Sequence, residues 1–126
     1  MKVLKWRYTE PPKFACVPDK PGVYIISTRQ ELDHEYEAKF IGQAANLRAR
    51  AEEHWSRKEQ NKELKEHISK HYLMKFNYAV VETPAERNGM VSYMLDVFQP
   101  QYNAGSFRPD VVIVKCTVPS VRKYKP

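Results

Sequence analysis

The sequence predicts an α/β domain, a small antiparallel sheet flanked by three helices, with an extra C-terminal strand. Three observations carry that expectation. Short runs of β-branched and aromatic residues, bounded by Pro, Gly and polar clusters, recur at residues 22–27, 39–43 and 74–82. Around them the composition switches to apolar residues at i, i+4, the mark of a helix with one buried face. The chain has 126 residues, 42% hydrophobic and 29% charged, enough for a single domain with a modest core.

The elements follow in order. Residues 1–20, with Pro11, Pro12 and Pro18, read as an irregular N-terminal arm. "GVYIIS" at 22–27 is the first strand, "TRQELDHEYEA" a polar, acid-rich connection, and "KFIGQ" at 39–43 the second strand, so the pair forms a hairpin with a long loop. "AANLRARAEEHW" is helical, with Asn46 near its N-terminus and Leu47, Ala51 and Trp55 on one face. A second helix over 60–72 puts Leu64, Ile68 and Tyr72 on a stripe. Glu59, Lys62, Glu63, Lys65, Glu66 and Lys70 take its solvated side. "MKFNYAVVE" is the third strand. Thr83 is the expected N-cap of a third helix and Pro84 its first turn. That helix stops before Pro100 and carries Met90, Val91, Met94, Val97 and Phe98 on its apolar face. "DVVIVKCTV" at 110–118 is the expected fourth strand, and 119–126 a basic tail.

Several classes are excluded or disfavoured. No apolar run approaches the length of a membrane span. The first residues contain no apolar signal segment, and two cysteines, Cys16 and Cys116, make no disulfide framework. Both sit among apolar neighbours and read as buried thiols, so a cytoplasmic protein is expected. His67 and His71 share a spacing that can chelate zinc, but without a third ligand they read as a solvated pair. Glu31, Asp33, Glu35 and Glu37 read as a solvated acidic loop. The net charge is +6, from 21 Lys+Arg against 15 Asp+Glu, a balance that favours polyanionic partners.

One ordered constellation goes further. Gly22-Val23-Tyr24 lies on the first strand and Phe40-Ile41-Gly42 on the second. Asn46, Leu47 and Arg50 open the first helix, His54 follows one turn later, and Pro100 and Asn103 come far downstream. Taken singly, Tyr24 and Phe40 are plausible core aromatics and Asn103 a turn residue. As a set, over a core of about residues 21–104, they resemble the GIY-YIG nuclease family, with 1–20 as an arm and 105–126 as the C-terminal strand and tail. The resemblance implies that two tyrosines face one cleft on the sheet and that a helix arginine contacts the scissile phosphate. A glutamate on the third helix holds a divalent metal, and an asparagine after a proline stabilises the site. Such a set suits phosphodiester hydrolysis, with a phenol acting on water, a metal screening the phosphate and an arginine binding the developing charge.

Carried over residue by residue, Tyr24, Gly22, Gly42, Arg50, His54 and Asn103 match, while Phe40 replaces the second tyrosine and has no hydroxyl. The glutamate belongs nine residues before the proline and twelve before the asparagine, and both counts land on Val91. Glu86 and Asp96, five residues away on either side, point roughly 140° from it. Glu53, one turn from Arg50, is the remaining substitute.

The resemblance therefore implies a nucleic-acid-binding domain with lost or strongly reduced nuclease activity. No metal ligand is expected, and Mg or Mn enters only if the chain is active, with Tyr24, Arg50 and His54 then catalytic. DNA or RNA is the expected partner, contacted through Arg48, Arg50, Lys75, Arg87, Arg122 and Lys123. An active metal-dependent endonuclease with a relocated acid, and a protein-interaction module using the long hairpin loop, are the alternatives.

Overall fold

The computed structural model describes residues 1–30, 35–70, 73–103 and 111–124. Its elements are β1 Arg7–Thr9, β2 Gly22–Arg29, β3 Glu37–Ala44, α1 Leu47–His54, α2 Lys62–Ser69, β4 Leu73–Val80 and α3 Pro84–Phe98. The four strands form one antiparallel sheet in the order β1-β4-β2-β3. The unbroken apolar run of β2 is explained by its central place, because both of its faces are covered. Tyr24 and Ile26 join Leu47, Ala51, Leu64 and Phe76 on the side of α1 and α2. Val23 and Ile25 join Ile41, Met90, Met94 and Phe98 on the side of α3. The period-2 alternation of a strand thus feeds two cores from one segment.

The helix signals resolve as caps. The Asn46 side chain accepts the Ala49 N–H at 3.0 Å, and Asn61 does the same for Leu64 at 3.1 Å, which satisfies donors that a helix start leaves open. Thr83 occupies the N-cap of α3 and Pro84 follows it, but the Thr83 side chain makes no capping bond. Among the described residues no helix is long and apolar enough to cross a membrane.

Three expectations are corrected. The fourth sheet strand comes from the N-terminal arm, as β1, and not from the C-terminus. Within 111–124 only two isolated bridges occur, Lys2 with Cys116 and Glu37 with Arg122. Val114, Cys116 and Val121 pack on the α3 side instead of joining the sheet, while Val112, Ile113 and Val118 are exposed. Val114 donates its N–H to the Gly89 carbonyl at 3.1 Å, and Val114 and Val121 pack on the α3-side core. A Cβ at Gly89 would lie 2.3 Å from the Val112 carbonyl oxygen, so glycine is what lets the segment approach the helix. Cys16 is exposed, while Cys116 is buried, and burial pushes its thiol up to about 11.

His67 is half-buried and bonded on both ring nitrogens, not simply solvated. Its Nε2 lies 2.9 Å from the Thr28 hydroxyl and its Nδ1 3.2 Å from the Tyr102 hydroxyl; His71 lies outside the described residues. Burial, then the charges of Lys39 and Lys70, push His67 down to about 4. In the unfolded chain the ring takes its proton near the ordinary value of about 6.5. The unfolded state therefore binds the extra proton, and stability falls as pH drops from about 6.5 to about 4. Urea midpoints measured across that window should decline, and the decline should be shallower in His67→Gln.

Candidate functional site

A cleft of about 180 Å³ is lined by Tyr24 from β2, Phe40 and Gly42 from β3, Arg50 from α1, Val91 from α3, and Asn103 beyond α3. Tyr24, Phe40, Gly42, Arg50 and Asn103 of the constellation thus meet at one place. Each is positioned by local chemistry. A Cβ at Gly42 would stand 2.5 Å from the Tyr24 hydroxyl oxygen, so the missing side chain makes room for the phenol across β3. Phe40 stacks on Tyr24 with ring centroids 6.2 Å apart. Asn103 clasps the edge strand: its amide donates to the Ile41 carbonyl and its carbonyl oxygen accepts the Ile41 N–H, both at 2.8 Å. Gly22 lets β2 pass close to β4 and α1, where a Cβ would lie 2.2 Å from the Ala79 carbonyl oxygen.

Behind the cleft lies a buried polar line. The Tyr24 hydroxyl and His54 Nε2 are 2.6 Å apart, and His54 Nδ1 faces the Glu59 carboxylate. With Nδ1 carrying its proton toward the carboxylate, Nε2 accepts from the phenol. The three residues are 1%, 1% and 6% exposed, and the bond between the Tyr24 hydroxyl and His54 satisfies two groups that would otherwise be costly to bury. Glu59 also accepts the Asn61 N–H at 3.0 Å. Burial pushes the Tyr24 phenol well above the usual tyrosine range, against the opposing charge of Arg50. Burial likewise pushes His54 down, although Glu59 works the other way. For Glu59 burial acts upward, but the bonds from His54 and Asn61 outweigh it and the carboxyl titrates below its usual range. The sequence pattern puts Glu59 on the solvated side of the second helix. It lies instead between α1 and α2, where no periodic signal in the sequence distinguishes it from its charged neighbours.

The expected basic contacts divide sharply. Arg50 lines the cleft and pairs with Glu53. Arg87 is buried: its Nε donates to the Gln43 side chain at 2.9 Å, and NH1 to the Val81 and Glu82 carbonyls at 3.1 and 2.9 Å. Arg48 ties down the N-terminal arm through the Val17 and Ala15 carbonyls and Asp19. Both arginines therefore serve the fold with the donors that phosphate contacts would need. Lys75 lies against the Tyr8 and Tyr36 rings, 4.1 and 4.6 Å from their centroids, and Arg122 pairs with Glu37. These two stand toward the far end of β2 from Tyr24, since Lys75 lies opposite Ser27 and Glu37 opposite Thr28. Lys123 is exposed. Glu37, expected in a solvated loop, is buried between Lys39 and Arg122; Glu31 and Asp33 lie outside the described residues.

The donor set does not fit a hard divalent cation. Such an ion takes oxygen ligands with carboxylates prominent among them, and the cleft lining contains none. Val91 lines the cleft where the resemblance implies that ligand, and Glu53 is not among the lining residues. Among the described residues no group of three His, Cys, Asp or Glu is arranged to hold a metal.

No protein-family model matches the sequence, and no curated protein does. Solved structures do match. The GIY-YIG N-terminal endonuclease domain of UvrC from Thermotoga maritima, bound to its catalytic magnesium, is 21% identical with a TM-score of 0.55; the match covers 73% of this chain and 92% of that one. Two tyrosine-to-phenylalanine point mutants of the same domain, each bound to its catalytic divalent cation, are 22% and 20% identical. Their TM-scores are 0.54 and 0.53, with 73% of this chain covered in both and 92% and 91% of theirs. Together with the sheet order, the three helices and the converging cleft, these likenesses show that the chain has the GIY-YIG fold.

Proposed function

We propose that this domain binds a nucleic-acid backbone at the Tyr24–Arg50 cleft, with divalent-metal-dependent nuclease activity lost or strongly reduced. The observation that carries the reading is the pairing within one cleft of a cation, Arg50, with an apolar side chain, Val91, where the resemblance calls for the metal ligand. Without the metal, a hydrolytic site forgoes several kcal/mol of transition-state charge stabilisation. The guanidinium still offers the planar donors that suit a phosphate. A net charge of +6 supports a polyanionic partner. An endonuclease domain of the same fold, solved with its catalytic magnesium, makes nucleic acid the natural choice of polyanion, although fold alone does not fix function.

The test is a binding titration at several salt concentrations. Arg50→Ala should weaken affinity for DNA or RNA by about 1–2 kcal/mol, roughly the worth of a charge-assisted contact. Affinity should fall steeply as salt rises, because phosphate neutralisation releases counterions. Arg87→Ala, by contrast, should lower the melting temperature and leave the salt dependence unchanged. Added Mg²⁺ or Mn²⁺ should produce no cleavage above background. Salt-independent binding, or cleavage that depends on metal, would overturn the reading.

A further inference from the structure

The line Tyr24–His54–Glu59 has no task in simple binding. It ends in a phenol at a cleft that also holds Arg50, and that offers no carboxylate for a metal. A proton acceptor and a cation are sufficient for one kind of phosphodiester chemistry, that in which the substrate brings its own nucleophile. RNA does so through the ribose 2′-hydroxyl. We propose that the cleft cleaves single-stranded RNA without metal by transferring the 2′-oxygen onto the adjacent phosphate. Tyr24 is then the catalytic base, His54 the acceptor behind it and Glu59 a positioning residue. This rests on the nucleic-acid reading above and commits it to RNA.

The step balances. The 2′-hydroxyl gives its proton to the Tyr24 oxygen as Tyr24 passes its own proton to Nε2 of His54. A bond forms between O2′ and phosphorus, and the bond from phosphorus to the next O5′ breaks. The departing 5′-oxygen takes a proton from water, and the His54 proton returns through Tyr24 to the hydroxide left behind. Nothing is oxidised or reduced, and the products are a 2′,3′-cyclic phosphate and a 5′-hydroxyl. Arg50 donates hydrogen bonds to the phosphoryl oxygens as charge develops there. Glu59 fixes the tautomer and stabilises the imidazolium, as the carboxylate does in a Ser-His-Asp triad. The charged and titratable groups facing His54 are Tyr24 from β2, Arg50 and Glu53 from α1, and Glu59 from the loop after it. Burial keeps the imidazole neutral and able to accept, and the phenol protonated and able to relay.

The experiment gives the full chain, prepared and assayed in EDTA, an end-labelled single-stranded RNA and the DNA of the same sequence. RNA should be cut to 2′,3′-cyclic phosphate ends and DNA left intact, with the rate falling at acid pH as His54 takes a proton. Tyr24→Phe removes one oxygen and keeps the ring on Phe40 and Phe76; it should slow cleavage by about 100-fold or more, the usual scale for general-base catalysis. Glu59→Gln should slow cleavage and move the acid limb to lower pH, since the imidazolium loses its counter-charge, while RNA affinity holds. A contaminant or a packing defect would not shift that limb. RNA bound but uncut in EDTA overturns the relay and leaves the binding reading standing. RNA not bound at low salt overturns both. Cleavage of DNA alongside RNA, or cleavage indifferent to Tyr24→Phe, overturns the assignment.

Discussion

Gly22→Ala should lower the stability of the domain by about 3 kcal/mol, near the upper end for forcing one methyl group into a packed site. In a chain of this size that corresponds to a fall of roughly 10 °C in melting temperature. The new Cβ would lie 2.2 Å from the Ala79 carbonyl oxygen and 2.6 Å from Leu47 Cδ1. Neither can yield cheaply. Ala79 belongs to the β2–β4 ladder, where Gly22 lies opposite Val80 and Val23 opposite Ala79, and Leu47 is fully buried at the start of α1. Relief at Gly22 therefore requires moving a strand or a helix. Gly42→Ala differs in kind, because its new methyl meets the tip of the Tyr24 ring. It should cost less stability but displace the phenol from His54. A Gly22→Ala protein melting within 2 °C of the wild type would show that the close approach is not needed.

What the sequence revealed follows from what pattern can encode. The apolar run of β2, the Asn46 cap and the proline at the start of α3 are local signals, and each has its structural counterpart. Val91 is singled out by the resemblance and not by any pattern of its own, and it does line the cleft. β1 was not legible, since three residues with two exposed side chains carry no period. The apolar run at 111–114 does not say that Val112 and Ile113 stay exposed while Val114 packs beside α3. Charge is similarly silent about where donors go. Arg48 and Arg87 look like surface bases in the sequence, yet backbone carbonyls and side-chain oxygens take their N–H groups. Glu59 is buried against His54 and the Asn61 N–H, a placement set by how the chain turns between α1 and α2.

The double variant Val91→Glu, Phe40→Tyr should bind Mn²⁺ or Mg²⁺ where the wild type does not. Val91 borders the cleft on α3 and is partly buried against the α3-side core. A glutamate there brings a carboxylate to a cleft that already holds the Tyr24 phenol and neutral side-chain oxygens, and Phe40→Tyr adds a second phenol beside the first. Without metal the variant should be less stable than the wild type by about 1–2 kcal/mol, the cost of placing a charge where an apolar group packs. Metal should recover that loss, because a ligand that binds only the folded state stabilises it by about 2.7 kcal/mol at 100 times its dissociation constant. The readout is melting temperature against Mn²⁺ concentration, flat for the wild type and rising for the variant. Binding is the right measure because cleavage demands more: supporting groups held within about 0.5 Å of productive geometry. A wild-type protein that gains stability from Mn²⁺ and cleaves DNA with it, losing both in Glu53→Ala, would instead place the missing acid on α1. The acid that the resemblance implies at Val91 would then be supplied by Glu53.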